Sequence, residues 1–492
     1  MIAVYVAIFG YLTWLQQDRF ATPGYDLSIY GQATWLMSRF HRPFMTVRGY
    51  PFFGHHVNGI MLLFVPLFWL GAGPHLLQLV QCVWIAVGAV PLWFLGRTYL
   101  KDEWSALVVP GAYLLYPAVE WITWWEFHPD ALAITPLLFA WWFATEQRWR
   151  PFTICIVIAL LCKEDAALAV AVMGLLVARR HDRRVGAVTA AVGAAWYLAC
   201  VLVIIPWADG GQAPFYAAYY PGLGTGFASV AFNSVRHPSR IHRILAFRPR
   251  QTYLRQLIVP VAFLPFEALG LLAIAGPQFF ANLTGGGLTN VYSGTYTIKY
   301  HYSALIVVGV FLATCEALGQ WRQPRGRAFV VGVLAAATLA CNVAWAPSPI
   351  GVHFRDGEWA LRPPPNEAAL KAVLRMVPAN VGVAASPTLV THLDHRDVIY
   401  QFPDPYQTPA IWAIPLHPEN DSRVDLLVID RVQLGQWQGL FERLTGPSGQ
   451  YHIVSDRDGV VVAEHVRDAG GSKRSPPGRS GAFLTPGSLL NS

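Results

Sequence analysis

The chain has 492 residues, 54% of them hydrophobic and only 13% charged, with a formal net charge of +7 and a positive mean hydropathy. That charge share is about half of what an ordinary soluble protein carries, which argues against a soluble fold. The Lys and Arg residues fall in short clusters between apolar runs rather than along one polar face, so they read as topology signals and not as a nucleic-acid surface.

A helix needs about 20 apolar residues to cross the hydrocarbon, and short cytoplasmic loops are enriched in Lys and Arg. The apolar start, Met1 to Leu15, has neither a basic leader nor a small-residue cleavage site. It reads as a first span rather than a removable signal peptide, with its cytoplasmic flank upstream of Met1. Basic clusters follow at Arg97/Lys101, Arg148/Arg150, Arg179/Arg180/Arg183/Arg184 and Arg322/Arg325/Arg327. If all four are cytoplasmic, the spans between them come in even numbers. Ile60 to Leu70 is apolar but about half as long as a crossing, and reads as a re-entrant or interface-lying helix. The spans are then 1–16, 75–96, 105–124, 130–146, 151–163, 165–178, 185–207, 254–266, 268–283, 302–320 and 328–346, about 11 in all.

The expected architecture is thus an α-helical polytopic membrane protein whose transmembrane domain occupies residues 1–346. It has a first outer loop at 17–74 and a long outer loop at 208–253. The six cysteines (Cys82, Cys155, Cys162, Cys200, Cys315 and Cys341) all lie in apolar segments without metal-binding spacing, so structural disulfides are not implied. The long loop brings Arg236, Arg240, Arg243, Arg248, Arg250 and Arg255 to the outer side, where the orientation rule is weak. These arginines read either as an interfacial helix facing lipid head groups or as a phosphate-binding patch that would include Arg243 and Arg250.

Beyond Trp345 the pattern becomes that of a small soluble α/β domain, 347–466. It opens with clustered prolines, followed by a helix at Glu367–Met376, buried strands at Val381–Ala385 and Val424–Ile429, a helix at Gln433–Leu444 and a hairpin made by 453–455 and 460–463. It lacks GxGxxG and GxxxxGK[ST], so nucleotide binding has no support. The tail 467–492, rich in Gly, Ser and Pro, reads as disordered. No internal repeat is evident, which counts against an inverted-repeat transporter.

Ionisable groups at membrane depth are costly and mark function, and here they collect on the expected outer side. Tyr25-Asp26-Leu27 opens a helix predicted over Asp26–Phe40, and Gly54-His55-His56-Val57-Asn58 precedes the short apolar segment. Trp124-Trp125-Glu126-Phe127-His128-Pro129-Asp130 and Lys163-Glu164-Asp165 form two tight turns, and Lys299-Tyr300-His301-Tyr302 heads a span. Each has a plainer reading: Asp26 as a helix cap, the 124–130 turn as an aromatic belt. The three adjacent charges at 163–165 are the hardest to dismiss, because between short apolar runs they need partners or water.

This arrangement resembles the GT-C superfamily of polytopic glycosyltransferases, in which a large first outer loop and the next outer loops supply acidic residues. More closely, Asp26-Leu27-Ser28-Ile29-Tyr30-Gly31-Gln32, the His56 element, Glu126-Phe127-His128-Pro129-Asp130 and Lys163-Glu164-Asp165 resemble a family of bacterial predicted membrane proteins, over roughly residues 20 to 466. The resemblance implies a multi-pass protein of the bacterial plasma membrane with its C-terminal domain outside. It would transfer a sugar from a polyprenyl-phosphate donor to an envelope glycan or glycolipid acceptor. It implies Asp26, Glu126, Asp130 and Glu164 as the catalytic carboxylates, and Asp26 as the base for the acceptor hydroxyl. Lys163, Asp165, Tyr300, His301, Arg243 and Arg250 would bind substrate or phosphate, and His56 and His128, with Glu126, would orient the acceptor or hold a divalent cation. A transporter or flippase for a lipid-linked or anionic solute, and a non-catalytic envelope assembly protein, are the alternatives.

Overall fold

The computed structural model describes residues 1–211, 219–224, 227–287, 293–355, 359–407 and 422–466. The expected disordered tail and residues 212–218, 225 and 226 of the long loop lie outside the described residues.

The chain is predominantly helical. Five helices among the described residues are long and apolar enough to cross a membrane: Pro74–Leu100, Arg183–Ala208, Leu264–Thr284, His301–Gln320 and Pro324–Trp345. A sixth crossing is available to the pair Glu103–Leu114 and Pro117–Trp124, bent by 44°. The bend has a local cause: Pro117 holds the preceding Tyr116 extended, at ψ 125, because a residue before proline is pushed out of the helical region.

The expected span 254–266 takes a different form. The helix Arg248–Ile258 passes into a 3₁₀ turn, Val259–Val261, and then into left-handed Ala262 and Phe263. Pro260 and Pro265 cannot supply the amide hydrogens a continuous helix requires. The segment still runs the length of the helical body. At one end Arg250 donates to the carbonyls of Gly285 and Gly287, and at the other Glu267 accepts from the Trp321 indole at 3.1 Å. That second end also gathers the basic clusters. Arg97 pairs with Glu103 at 2.8 Å, Arg180 pairs with Glu316, and Arg327 donates to Leu100 O.

The expected interface segment 60–70 is a 3₁₀ turn, Gly59–Leu63, and a short helix, Val65–Trp69, with Leu62, Leu63, Trp69 and Leu70 exposed. The helices Trp149–Cys162 and Ala166–Arg180 have 14 and 15 residues. At 1.5 Å per residue each is about 21–23 Å long, several ångströms less than the hydrocarbon thickness. The Lys163–Asp165 turn joins these two short helices.

In the first loop β1 (Phe44–Met45) pairs antiparallel with β2 (Tyr50–Pro51). The C-terminal region builds a five-stranded sheet from β3 (Val383–Ala385), β4 (Ile399–Gln401), β5 (Leu426–Asp430), β6 (Tyr451–Arg457) and β7 (Val460–His465). Its order is β4-β3-β5-β7-β6, with β4, β3 and β5 parallel and the β6–β7 hairpin antiparallel. The helix Glu367–Met376 forms as predicted. The helix expected at 433–444 starts only at Gln438, after two 3₁₀ turns and a left-handed Gly435. Strand β4 and the helix Pro387–Leu393 were not anticipated.

The sheet region sits directly on the first loop. Thr46 Oγ1 donates to Ile399 O at 2.7 Å and accepts from Ile399 N, and Gln17 donates to Thr391 at 2.9 Å. Gly24, at φ +96, packs so closely that a Cβ would strike Pro387 O. Only glycine fits there, on both conformational and steric grounds.

Candidate active site

Five segments far apart in sequence bring ionisable side chains together at the end of the body opposite the basic clusters. The first is the helix Tyr25–Ser38. Asp26 does not cap it: the N-cap is Gly24, without a side-chain cap. The cap comes instead from Glu126, whose buried carboxyl group accepts from Gly24 N and from Leu27 N, the latter at 2.6 Å. A carboxyl group at a helix N-terminus satisfies orphan amides. Burial and the nearby Asp26 charge push the Glu126 carboxyl up to about 8, against the pull of those amide donors. Glu126 therefore holds the helix that carries Asp26 and is not among the residues that line the cavity.

Asp26 turns its carboxylate to His128, Oδ2 to Nε2 at 3.3 Å, and stays 29% exposed while His128 is almost fully covered. His128 Nδ1 lies 3.0 Å from Glu126 O. A carbonyl only accepts, so Nδ1 carries the hydrogen. A second hydrogen on Nε2 then makes the contact with Asp26 an imidazolium–carboxylate pair. Burial alone would raise Asp26, but the hydrogen bond and charge of His128 outweigh it and leave the carboxyl below its ordinary value. Burial lowers His128, and the same bond more than restores it, holding the imidazole above its usual range. The His301 ring stacks on His128 at 3.5 Å between centroids, and its Nε2 lies 3.8 Å from Asp130.

The 163–165 turn completes the cluster. Lys163 Nζ stands 3.5 Å from both Asp130 Oδ2 and Asp165 Oδ2. Glu164 takes His56 Nδ1 at 2.6 Å on one oxygen and Val57 N at 3.0 Å on the other. Burial would raise Glu164, but the charge and hydrogen bond of His56 pull it down to about 2. His56 and His128, expected to share a cation, sit in separate pairs. Among the described residues no three His, Cys, Asp or Glu side chains are placed to hold one metal ion, so the donor set does not fit the expected divalent cation.

Asp26, His56, His128, Lys163, Glu164, Asp165 and His301 all line one cavity of about 670 Å³. Its charged end continues into an apolar flank formed by Leu168, Leu198, Val201 and Leu202 on one side and Pro277, Phe280 and Ala281 on the other. Leu198 and Leu202 are more than half exposed, so this flank opens sideways between the helices Arg183–Ala208 and Gly276–Thr284. A π-helical turn, Cys200–Ile204, interrupts the first of them at the opening, a distortion common at functional sites.

Asp130 stands behind the wall, as partner to Lys163 and His301. Tyr300 packs edge-on against Trp125 at 4.5 Å and does not line the cavity; Tyr302 does. Arg250 is fully buried, donating to the carbonyls of Ile244, Gly285 and Gly287 and facing Tyr296, so its role is to fasten a loop. Arg243 is exposed on the helix Pro238–Leu245, away from the cavity. The sequence reading missed Arg48, which lines the cavity and donates through Nε to His55 Nε2 at 3.3 Å and to the Tyr25 hydroxyl. Its only signal was an arginine inside a loop expected to lie outside.

Residues 16–462 match the family described as predicted membrane protein (DUF2079). The chain belongs to this family. Among solved structures, the DUF2079 chain is similar to ArnT from Cupriavidus metallidurans bound to undecaprenyl phosphate. The identity is 12% and the TM-score 0.50, with 96% of this chain and 99% of that chain covered. At that identity the likeness is one of fold, and it agrees with the GT-C resemblance read from the motifs. No curated protein matches the chain.

Proposed function

We propose that this protein is a membrane glycosyltransferase of GT-C type that moves a sugar from a polyprenyl-phosphate donor to a cell-envelope glycan or glycolipid. In this reading about eleven crossings, residues 1–346, place the basic clusters in the cytoplasm. The cavity and the sheet domain, 347–466, then lie on the outer side of the bacterial plasma membrane. The observation that carries the proposal is the continuity of one cavity from a charged end to an apolar flank open between two helices. A phosphate-linked sugar needs the first, and a polyprenyl tail needs the second. The neighbour's bound undecaprenyl phosphate supports the same donor class.

The chemistry follows from the side chains. The acceptor oxygen attacks the anomeric carbon as the bond from that carbon to the phosphate oxygen breaks. Polyprenyl phosphate leaves with the electron pair, and the acceptor's proton passes to the Asp26 carboxylate. A carboxylate held ionised by His128 is a weak base, so transfer comes late, once bonding to carbon has made the acceptor oxygen acidic. Lys163 and Arg48 supply positive charge to the departing phosphate. Glu164 holds His56, and Glu126 holds the Asp26 helix. Replacing Asp26 by Asn keeps shape and removes the base. Glycolipid formation by the reconstituted Asp26→Asn variant should fall by about 10²–10⁴, the usual range for a lost general base, with the melting temperature unchanged. Wild-type turnover in that variant would end the proposal.

A further inference from the structure

Between Asp209 and Glu267 the chain has no acidic residue and six arginines, and this stretch begins at the cavity end, opposite the other basic clusters. Two helices occupy its centre, Phe227–Arg236 and Pro238–Leu245. Their inner face is apolar: Val230 and Ile244 pack with Leu223, against Ile241, Tyr220 and Phe280. Val230, Tyr220 and Phe280 are also cavity wall. The outer face is of another kind. Phe232 is 62% and Val235 84% exposed, alongside exposed Arg236 and Arg243, with exposed Arg248 opening the next helix, and Arg236 lies over the Phe232 ring.

We infer that this outer face is a docking surface for the head-group layer of an anionic bilayer, with Phe232 and Val235 entering the acyl boundary and the arginines meeting lipid phosphates. Aromatic and aliphatic side chains alternating with arginine on a surface helix are the composition of an interfacial element. Each basic residue near an anionic surface adds attraction. The helix Arg183–Ala208 also carries Trp207 in its final turn, 82% exposed, in the manner of an interface anchor. Because Ser229 and Val230 of the first helix also line the cavity, lipid charge outside and cavity shape inside bear on one element. The inference needs only the membrane setting and holds whether or not the cavity transfers sugar.

The test is hydrogen–deuterium exchange of the full chain in nanodiscs of phosphatidylcholine alone and of phosphatidylcholine with phosphatidylglycerol. Exchange across 229–247 should slow at least about tenfold in the anionic discs, the scale expected when two or three arginines are each attracted to the surface. The difference should vanish in 0.5 M salt, by screening, and in the triple variant Arg236→Gln, Arg243→Gln, Arg248→Gln, whose substituted side chains are exposed. Equal exchange in both discs overturns the inference, as does protection that persists in the triple variant or in high salt.

Discussion

Replacing Glu126 by Ala should disable the Asp26 helix without touching a cavity-lining group. The substitution removes both acceptors of the Gly24 and Leu27 amides and leaves two buried donors unpaired. Each unpaired donor costs about 1–3 kcal/mol; with water entering the hole to repair part of the loss, about 2–3 kcal/mol remains. That corresponds to an opened helix start roughly 30- to 150-fold more populated than before. Amide exchange at Gly24 and Leu27 should accelerate by that factor, and glycolipid turnover should fall with it. Glu126→Gln should recover most of both, because it keeps one acceptor and mimics the neutral acid. The linkage sign follows from the raised carboxyl, about 8 in the fold against an ordinary glutamate near 4.3. The folded chain binds more protons between those values, so this contribution to stability is complete below about pH 4 and is lost as pH rises through about 8. Wild-type melting temperature should therefore fall across that window by an increment that Glu126→Gln lacks. Unchanged exchange at Gly24 and Leu27 in the Ala variant would refute the clamp.

Removing the imidazole partner in His128→Gln leaves burial as the main influence on Asp26, so the acid limb of the activity profile should move to higher pH. Glu164, held near 2, contributes stability that is present above about pH 4.3 and lost as pH falls through 2. The shift sets an upper scale of about 3 kcal/mol, and melting curves between pH 5 and 3 should lose this slope in Glu164→Gln. Arg250→Ala removes the guanidinium donor from three carbonyls and should lower the melting temperature, while donor affinity of the folded fraction stays at the wild-type level.

The sequence signalled the parts of this site whose chemistry conflicts with their surroundings. Lys163-Glu164-Asp165 stands out because two apolar runs too short to cross comfortably surround three charges, and the structure places all three on the cavity. Glu126 and His128 stood out in the same way, but which of them faces the cavity depends on a turn that sends one carboxylate to backbone amides and one imidazole to Asp26. Sequence spacing does not carry that choice. Arg250 and Arg243 are alike in composition and context, yet one is fully buried under three carbonyls and the other is exposed. Arg48 gave little signal because a single arginine in a polar loop is ordinary, and only the β1–β2 turn and the packing of His55 bring it to the wall. In the helical body, apolar length fixed the long segments, while the prolines at 260 and 265 broke one that length alone made continuous.

The central claim is that the charged pocket and the apolar flank are one donor site. Cryo-electron microscopy of the reconstituted protein with undecaprenyl phosphate tests it directly. The account predicts phosphate density beside Lys163 and Arg48, with the polyprenyl chain leaving between the helices Arg183–Ala208 and Gly276–Thr284 past the π-helical turn. A lipid seated elsewhere, with the cavity filled only by water, would contradict it.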